Sequence, residues 1–191
     1  MKKTLLSIAL VIGLIGATTI ANAQNGRFSV GAELGLPMGD FGDVASMGFG
    51  GSLRYELPVS DNIGVTATAG YLMFSGKSEG GFDFPDWSMI PVQIGGKYYI
   101  TDNQEGLYFG VEVGIHSSKV KTPAYTYTDP FTGLTFEVPS ASATSTDLSY
   151  APEVGYHLAN IDLGLRYQMV ATEGATTSYL GLRIAYVFGE Q

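Results

Sequence analysis

After the first 25 residues, apolar side chains occupy every second position through most of the chain. In residues 161–169, Ile161, Leu163, Leu165, Tyr167 and Met169 alternate with Asp162, Gly164, Arg166 and Gln168. Successive side chains of an extended strand point to opposite faces, so a period of two predicts a strand with one continuous apolar face. The same alternation predicts seven more strands, at residues 26–36, 47–57, 62–73, 89–100, 106–116, 150–158 and 178–188. Turn residues separate them, including Pro37 with Gly39 and Asp40, Pro58 with Asp61, and the pair Ala159-Asn160. No connecting segment calls for a helix.

The environment of each face follows from the polar side. Glu33, Arg54, Glu56, Lys97, Glu112, Glu153, His157, Asp162, Arg166 and Arg183 all fall opposite the apolar stripe, together with most of the strand glycines. A soluble ligand-binding barrel keeps apolar groups inside and charges outside. Here the apolar face is continuous and the charged one is interrupted by glycine, as it is in a barrel with lipid outside and a polar interior. Strands of about ten residues suit a tilted membrane crossing. The connections after the second, fourth and sixth strands are short, whereas those after the first, third and fifth are long. That asymmetry matches short periplasmic turns and longer outer loops. The predicted fold is all-β: an eight-stranded antiparallel up-and-down transmembrane β-barrel with a polar, side-chain-filled lumen.

Composition agrees and adds an address. Residues 1–23 open with Lys2 and Lys3, continue as an uncharged apolar run and close on Ala21-Asn22-Ala23, the three parts of a cleaved signal peptide. Residues 24–191 then form one barrel domain. Without Lys2 and Lys3, eight basic side chains face eighteen acidic ones, a net charge of −10 that excludes nucleic acid as a partner. The chain has no cysteine, which excludes disulfides, thiolate metal sites and a lipid-modified cysteine. No later apolar run approaches the roughly 20 residues of a spanning helix. Tyrosines and phenylalanines near strand ends, among them Phe28, Tyr55, Tyr71, Tyr98, Tyr150, Tyr167 and Phe188, fit interfacial girdles.

Candidate chemistry is sparse. The two-residue turn Ala159-Asn160 sets Glu153 opposite Arg166 and His157 opposite Asp162, which predicts two inward salt-bridging pairs. Glu112 and Glu153 on adjacent strands read as a charge network neutralised by Arg166 and Arg183 rather than as an acid/base pair. The two histidines, His116 and His157, fall at opposite ends of the barrel, so no shared metal site is expected. No cofactor is implied. In the longest connection, Ala124 to Thr128 and Leu134 to Val138 alternate around Asp129-Pro130-Phe131-Thr132-Gly133, predicting a hairpin that extends the fifth and sixth strands beyond the membrane. Its Tyr125, Tyr127, Phe131 and Phe136, with Phe82, Phe84 and Trp87 of the second outer loop, are the candidate contacts for an extracellular protein partner.

The last strand, Tyr179-Leu180-Gly181-Leu182-Arg183-Ile184-Ala185-Tyr186-Val187-Phe188, is similar to the carboxy-terminal assembly signal of outer-membrane barrels, although Gly189-Glu190-Gln191 follow it. With the strand pattern and the glycine and aromatic usage, the whole mature chain resembles the small eight-stranded barrels typified by the OmpA membrane domain, OmpX and OmpW. That resemblance implies a monomer in the outer membrane of a Gram-negative bacterium, in contact with its lipid and inserted by the barrel-assembly machinery. It implies a structural or surface-interaction role, with a narrow channel for small solutes, in the OmpW manner, as the alternative. His116-Ser117-Ser118 is similar to part of the active site of an outer-membrane lipid A deacylase. Parity turns His116 away from lipid, so this enzymatic reading ranks third and no enzyme activity is expected.

Overall fold

The computed structural model describes residues 26–79, 82–172 and 174–188; the leader read in residues 1–23 lies outside them. Eight strands form one closed antiparallel barrel: β1 (Arg27–Met38), β2 (Gly48–Ser60), β3 (Ile63–Phe74), β4 (Asp86–Tyr99), β5 (Gly106–Thr122), β6 (Ala141–Leu158), β7 (Ile161–Thr172) and β8 (Ala175–Phe188). Each strand pairs with its sequence neighbours, and β1 closes the ring on β8 from Phe28↔Phe188 to Met38↔Ser178. Closure removes every sheet edge within the barrel wall, which is the condition for strands to cross lipid.

Burial is inverted relative to a soluble protein. Arg54 and Arg183 are each 1% exposed, whereas Phe28 and Leu53 are 61% and 60% exposed. The apolar stripes therefore form the outer surface and the charged stripes fill the interior, as the alternation predicts. Phe28 and Tyr55 pack in a tilted arrangement and Tyr186 and Phe188 edge to face, each with ring centroids 4.7 Å apart, so aromatic pairs gather toward the end of the barrel with short turns.

Three features differ from the sequence reading. Residues 37–43 are not simply a turn: Pro37 and Met38 complete β1, Gly39 takes a left-handed φ of 56°, and Asp40–Val44 forms a one-turn helix, α1. A single turn is too short to display a 3.6-residue period, and α1 is fixed by burial of Phe41 rather than by propensity. Second, the expected extension of the fifth and sixth strands beyond the membrane is formed not by residues 124–138 but by β5 and β6 themselves, which continue past residues 116 and 150. Their extensions pair from Ser117↔Thr146 to Thr122↔Ala141. Third, the predicted hairpin is real but separate: Tyr125–Thr128 pairs with Thr135–Val138 as an independent two-stranded sheet at the tip of that extension.

Candidate functional site

The lumen is built from side chains that neighbouring strands aim at one axis. Among the described residues, Arg27, Arg54, Lys97, Arg166 and Arg183 are buried with Glu33, Glu56, Glu112, Glu153 and Asp162, five cations against five carboxylates. Arg54 on β2 and Glu153 on β6 face each other from opposite walls. Arg54 donates from both terminal nitrogens to the two Glu153 oxygens at 3.0 and 2.9 Å, and its Nη2 also lies 3.2 Å from Glu112. The fork geometry of guanidinium matches a carboxylate, so this contact spans the lumen as one rigid strut. Below it, Lys97 Nζ joins Asp162 at 2.5 Å and Glu56 at 3.1 Å, and Tyr108 OH donates to both Glu153 and Asp162 at 3.0 Å. Beside it, Glu33 holds Arg166 Nη2 at 3.0 Å and accepts from Ser52 Oγ at 2.6 Å.

The register read from the Ala159-Asn160 turn holds: Glu153 is opposite Arg166 and His157 opposite Asp162, all facing inward. The expected salt bridges across those two pairs do not form. In these two pairs the cross-strand neighbours project side by side, and partners from other strands reach their charged ends nearer the axis, whereas Arg27 does bridge to its opposed neighbour Glu56 at 2.9 Å. Glu153 is therefore taken by Arg54, and Arg166 by Glu33. Asp162 is taken by Lys97 and Arg183, and His157 donates Nδ1–H to the carbonyl of Gln104 at 2.9 Å.

Both mouths are closed by residues that periodicity could not single out. At the inner end the turn between β4 and β5 folds back into the lumen. Gln104, with φ 53°, accepts from Arg27 at 2.6 Å and donates to the carbonyls of Ser60 and Ile63 at 2.6 and 3.1 Å. At the outer end α1 drops Phe41 onto Phe74 and Trp87, with ring centroids 5.2 and 5.3 Å away, and Phe74 packs on Tyr179 at 5.3 Å. Leu72, Met89 and Ala45 complete this apolar seal. Lys77 Nζ pins the first outer loop by donating to the Gly42 carbonyl at 2.5 Å. The signal for Phe41 was a lone aromatic in a Gly/Asp-rich turn; for Gln104 there was none.

Trp87, expected among the loop contacts, thus belongs to β4 and the outer seal. It is the one tryptophan of the chain. Phe41→Ala is expected to shift its emission to the red and raise its quenching by acrylamide; unchanged emission would mean that the seal stands without Phe41.

Above the seal, Tyr125, Tyr127, Phe131 and Phe136 are exposed, Phe131 at 96%. Tyr127 pairs with Phe136 and Tyr125 with Val138, so one face of the terminal hairpin is apolar and the other carries Thr126, Thr128, Thr135 and Glu137. Asp129 accepts the backbone N–H groups of Phe131 and Thr132 at 2.7 and 3.1 Å, which fixes the tip and holds its carboxyl below the usual carboxylate range. A cleft of about 450 Å³ opens between Asp83 of the second loop and the hairpin base at Thr122, Tyr125 and Tyr127. Phe84 is half-buried beside that loop, and Phe82 lies in its short hairpin, paired with Glu79. Among the described residues, β6 residues 141–147 pair with β5 alone, since β7 reaches β6 only from Leu148↔Ala171, and no strand pairs with their other edge. His116 is buried with Nε2 3.3 Å from Tyr179 OH, away from the outer surface.

The sequence matches the family model for an outer membrane protein beta-barrel domain over residues 7–188. No curated protein matches it closely enough to count as a relative. Among solved structures, Ail, the attachment invasion locus protein of Yersinia pestis, superposes with a TM-score of 0.59 at 16% identity, covering 86% of this chain and 99% of Ail. Ail in complex with the heparin analogue sucrose octasulfate gives 0.60 at 18% identity, with 86% and 98% covered. The N-terminal β-barrel domain of Pseudomonas aeruginosa OprF gives 0.55 at 13% identity, with 86% and 98% covered. At these identities the likeness is one of fold.

Proposed function

The chain belongs to the outer membrane protein beta-barrel domain family, and from that premise we propose that it is a closed, non-conducting barrel that acts through its outer hairpin on a protein partner. The observation that carries the reading is the sealed lumen. Three successive layers, the Gln104 fold-back, the Arg54–Glu153 strut and the Phe41 seal, occupy the path a solute would take. Function is left to what stands outside the wall. There the structure offers a strand edge at residues 141–147 with which no described strand pairs, an aromatic hairpin face and a cleft, the parts used to add an extended peptide to a sheet. On this reading residues 1–23 are a leader removed on export. The barrel is inserted by the assembly machinery into the outer membrane of a Gram-negative bacterium and works there as a monomer.

The polyanion seen on Ail is a poor guide to the partner here. The outer loops and strand ends hold Asp40, Asp43, Glu79, Asp83, Asp86, Asp129, Glu137 and Asp147 against Lys77, Lys119 and Lys121. That excess of acid repels sulfated chains and favours a neutral or basic segment.

Two measurements test the proposal. In planar bilayers the folded chain is expected to stay silent, and so is Phe41→Ala/Gln104→Ala, because the mid-lumen strut remains. A stable conductance step in the unsubstituted chain would sink the closed reading in favour of a narrow channel. For the partner, a displayed peptide library panned on the barrel in nanodiscs is expected to yield extended, β-prone peptides. Their capture should disappear when residues 117–146 are cut back to a short turn. Binders indifferent to that deletion, or none, would remove the hairpin from the mechanism.

A further inference from the structure

The exterior of the protein is poor in positive charge. Of the eight basic side chains that follow the leader, five are buried in the lumen and three remain outside, Lys77, Lys119 and Lys121. Lys77 is committed to the Gly42 carbonyl. Lys119 and Lys121 stand two residues apart on β5, so they share a face, and both are exposed. The ion pairs among the described residues join lumen groups only, so neither ammonium group has an ion-pair partner among those residues.

Their height on the barrel gives the pair its meaning. The outward face of β5 runs through Leu107, Phe109, Val111, Val113 and Ile115, all exposed, before it reaches Ser117, Lys119 and Lys121. Ile90 of β4 stands beside Ser117 and carries the apolar band up to that level. Lys119 is the next outward position, roughly 5 Å higher once strand rise and tilt are combined. A lysine stem can lie along the band while its head sits at the layer of lipid phosphates. The flanking strands supply hydroxyls at the same height: Ser88 and Thr144 stand on either side of Lys119, and Ser142 beside Lys121. Asp86, opposite Lys121, turns its carboxylate to the Gly76 N–H at 2.9 Å.

We propose that Lys119 and Lys121, with these hydroxyls, hold the phosphate of an anionic lipid in the outer leaflet. Two point charges at strand spacing attract a phosphate monoester, and Ser and Thr hydroxyls donate to its remaining oxygens. Elsewhere the outer rim is acidic and repels the same lipid, so the contact is confined to the β4–β6 side of the barrel. It orients the protein against the leaflet at the root of the hairpin that carries its partner surface. The inference goes beyond the partner proposal and does not depend on it.

The test uses the full chain folded in phosphatidylcholine vesicles, with spin-labelled phosphatidic acid or spin-labelled phosphatidylcholine as probe. The spectrum gives the fraction of each lipid immobilised at the protein surface. Phosphatidic acid is expected to be preferred by roughly fivefold, a preference that weakens with added salt. It should fall to near one in Lys119→Gln/Lys121→Gln and survive in Lys119→Arg/Lys121→Arg, with heat-modifiable gel migration showing that each variant is folded. Replacing chloride by inorganic phosphate at equal ionic strength should leave the preference unchanged. No selectivity in the unsubstituted chain, or selectivity that persists in the Gln variant, overturns the proposal. Loss of the preference on adding free phosphate overturns it in favour of a soluble anion.

Discussion

Arg54→Ala is expected to lower the stability of the barrel by about 3–5 kcal/mol, read as a large drop in the urea midpoint of unfolding from vesicles. Arg54 is 1% exposed and is the shared partner of Glu153, which it holds through both oxygens, and Glu112. Removing it strands two carboxylates in an interior that water enters poorly, and an uncompensated buried charge costs far more than the pair contributes. The same reasoning gives the control. Arg54→Met combined with Glu112→Gln and Glu153→Gln removes the charges together and is expected to regain most of the loss, because the remaining amides can still bond to Thr68 and Tyr108. If Arg54→Ala unfolds at the unsubstituted midpoint, the lumen carboxylates are hydrated and the strut is not what holds the interior together.

That expectation depends on partners that sequence alone could not assign, and the reason is geometric. Alternation fixes which face each side chain takes, because period two is a property of the backbone. It therefore placed Arg54, Glu153, Asp162 and Arg166 inside, and the turn at Ala159-Asn160 set the register of β6 on β7. It could not say who bonds to whom. Strands adjacent in sequence are adjacent in the wall, and some opposed residues do pair, as Arg27 does with Glu56, but the short contacts of Glu153 and Asp162 come from across the lumen, where β2 meets β6 and β4 meets β7. Strand ends failed for a different reason. Above the apolar band both faces of β5 and β6 meet a polar medium, water or lipid headgroups, so Ser142, Thr144 and Ser145 carry no apolar period although they are paired strand. The two seals were least legible of all, since Phe41 and Gln104 act from connections whose only signal is turn chemistry.

The glycines carry the other large expected effect, and they sort into two kinds that neighbour each other in sequence. Gly50 faces the lumen side of β2, and a Cβ there would fall within the van der Waals shell of the Tyr71 carbonyl oxygen and 2.8 Å from Leu72 Cα. Both are backbone atoms of the paired strand, so no side-chain rotation relieves the clash; β2 and β3 would have to separate locally. Gly51, one residue on and facing outward, meets nothing closer than the Gly31 carbonyl oxygen at 3.3 Å. Gly50→Ala is therefore expected to cost about 3 kcal/mol or more, at the upper end of overpacking, and to slow or block assembly. Gly51→Ala, whose methyl enters lipid, is expected to fold near normally. The pair Gly95 and Gly96 repeats the contrast on β4, with a Gly95 Cβ 3.0 Å from Glu112 Cα and a Gly96 Cβ no closer than 3.6 Å to the Gly64 oxygen. Heat-modifiable migration and the urea midpoint of the four single variants decide the matter. Equal behaviour of Gly50→Ala and Gly51→Ala would mean that the strands can spread to admit a methyl group. Loss at Gly50 and Gly95 with retention at Gly51 and Gly96 would mean that glycine on the lumen face sets the close approach of neighbouring strands on which the filled interior depends.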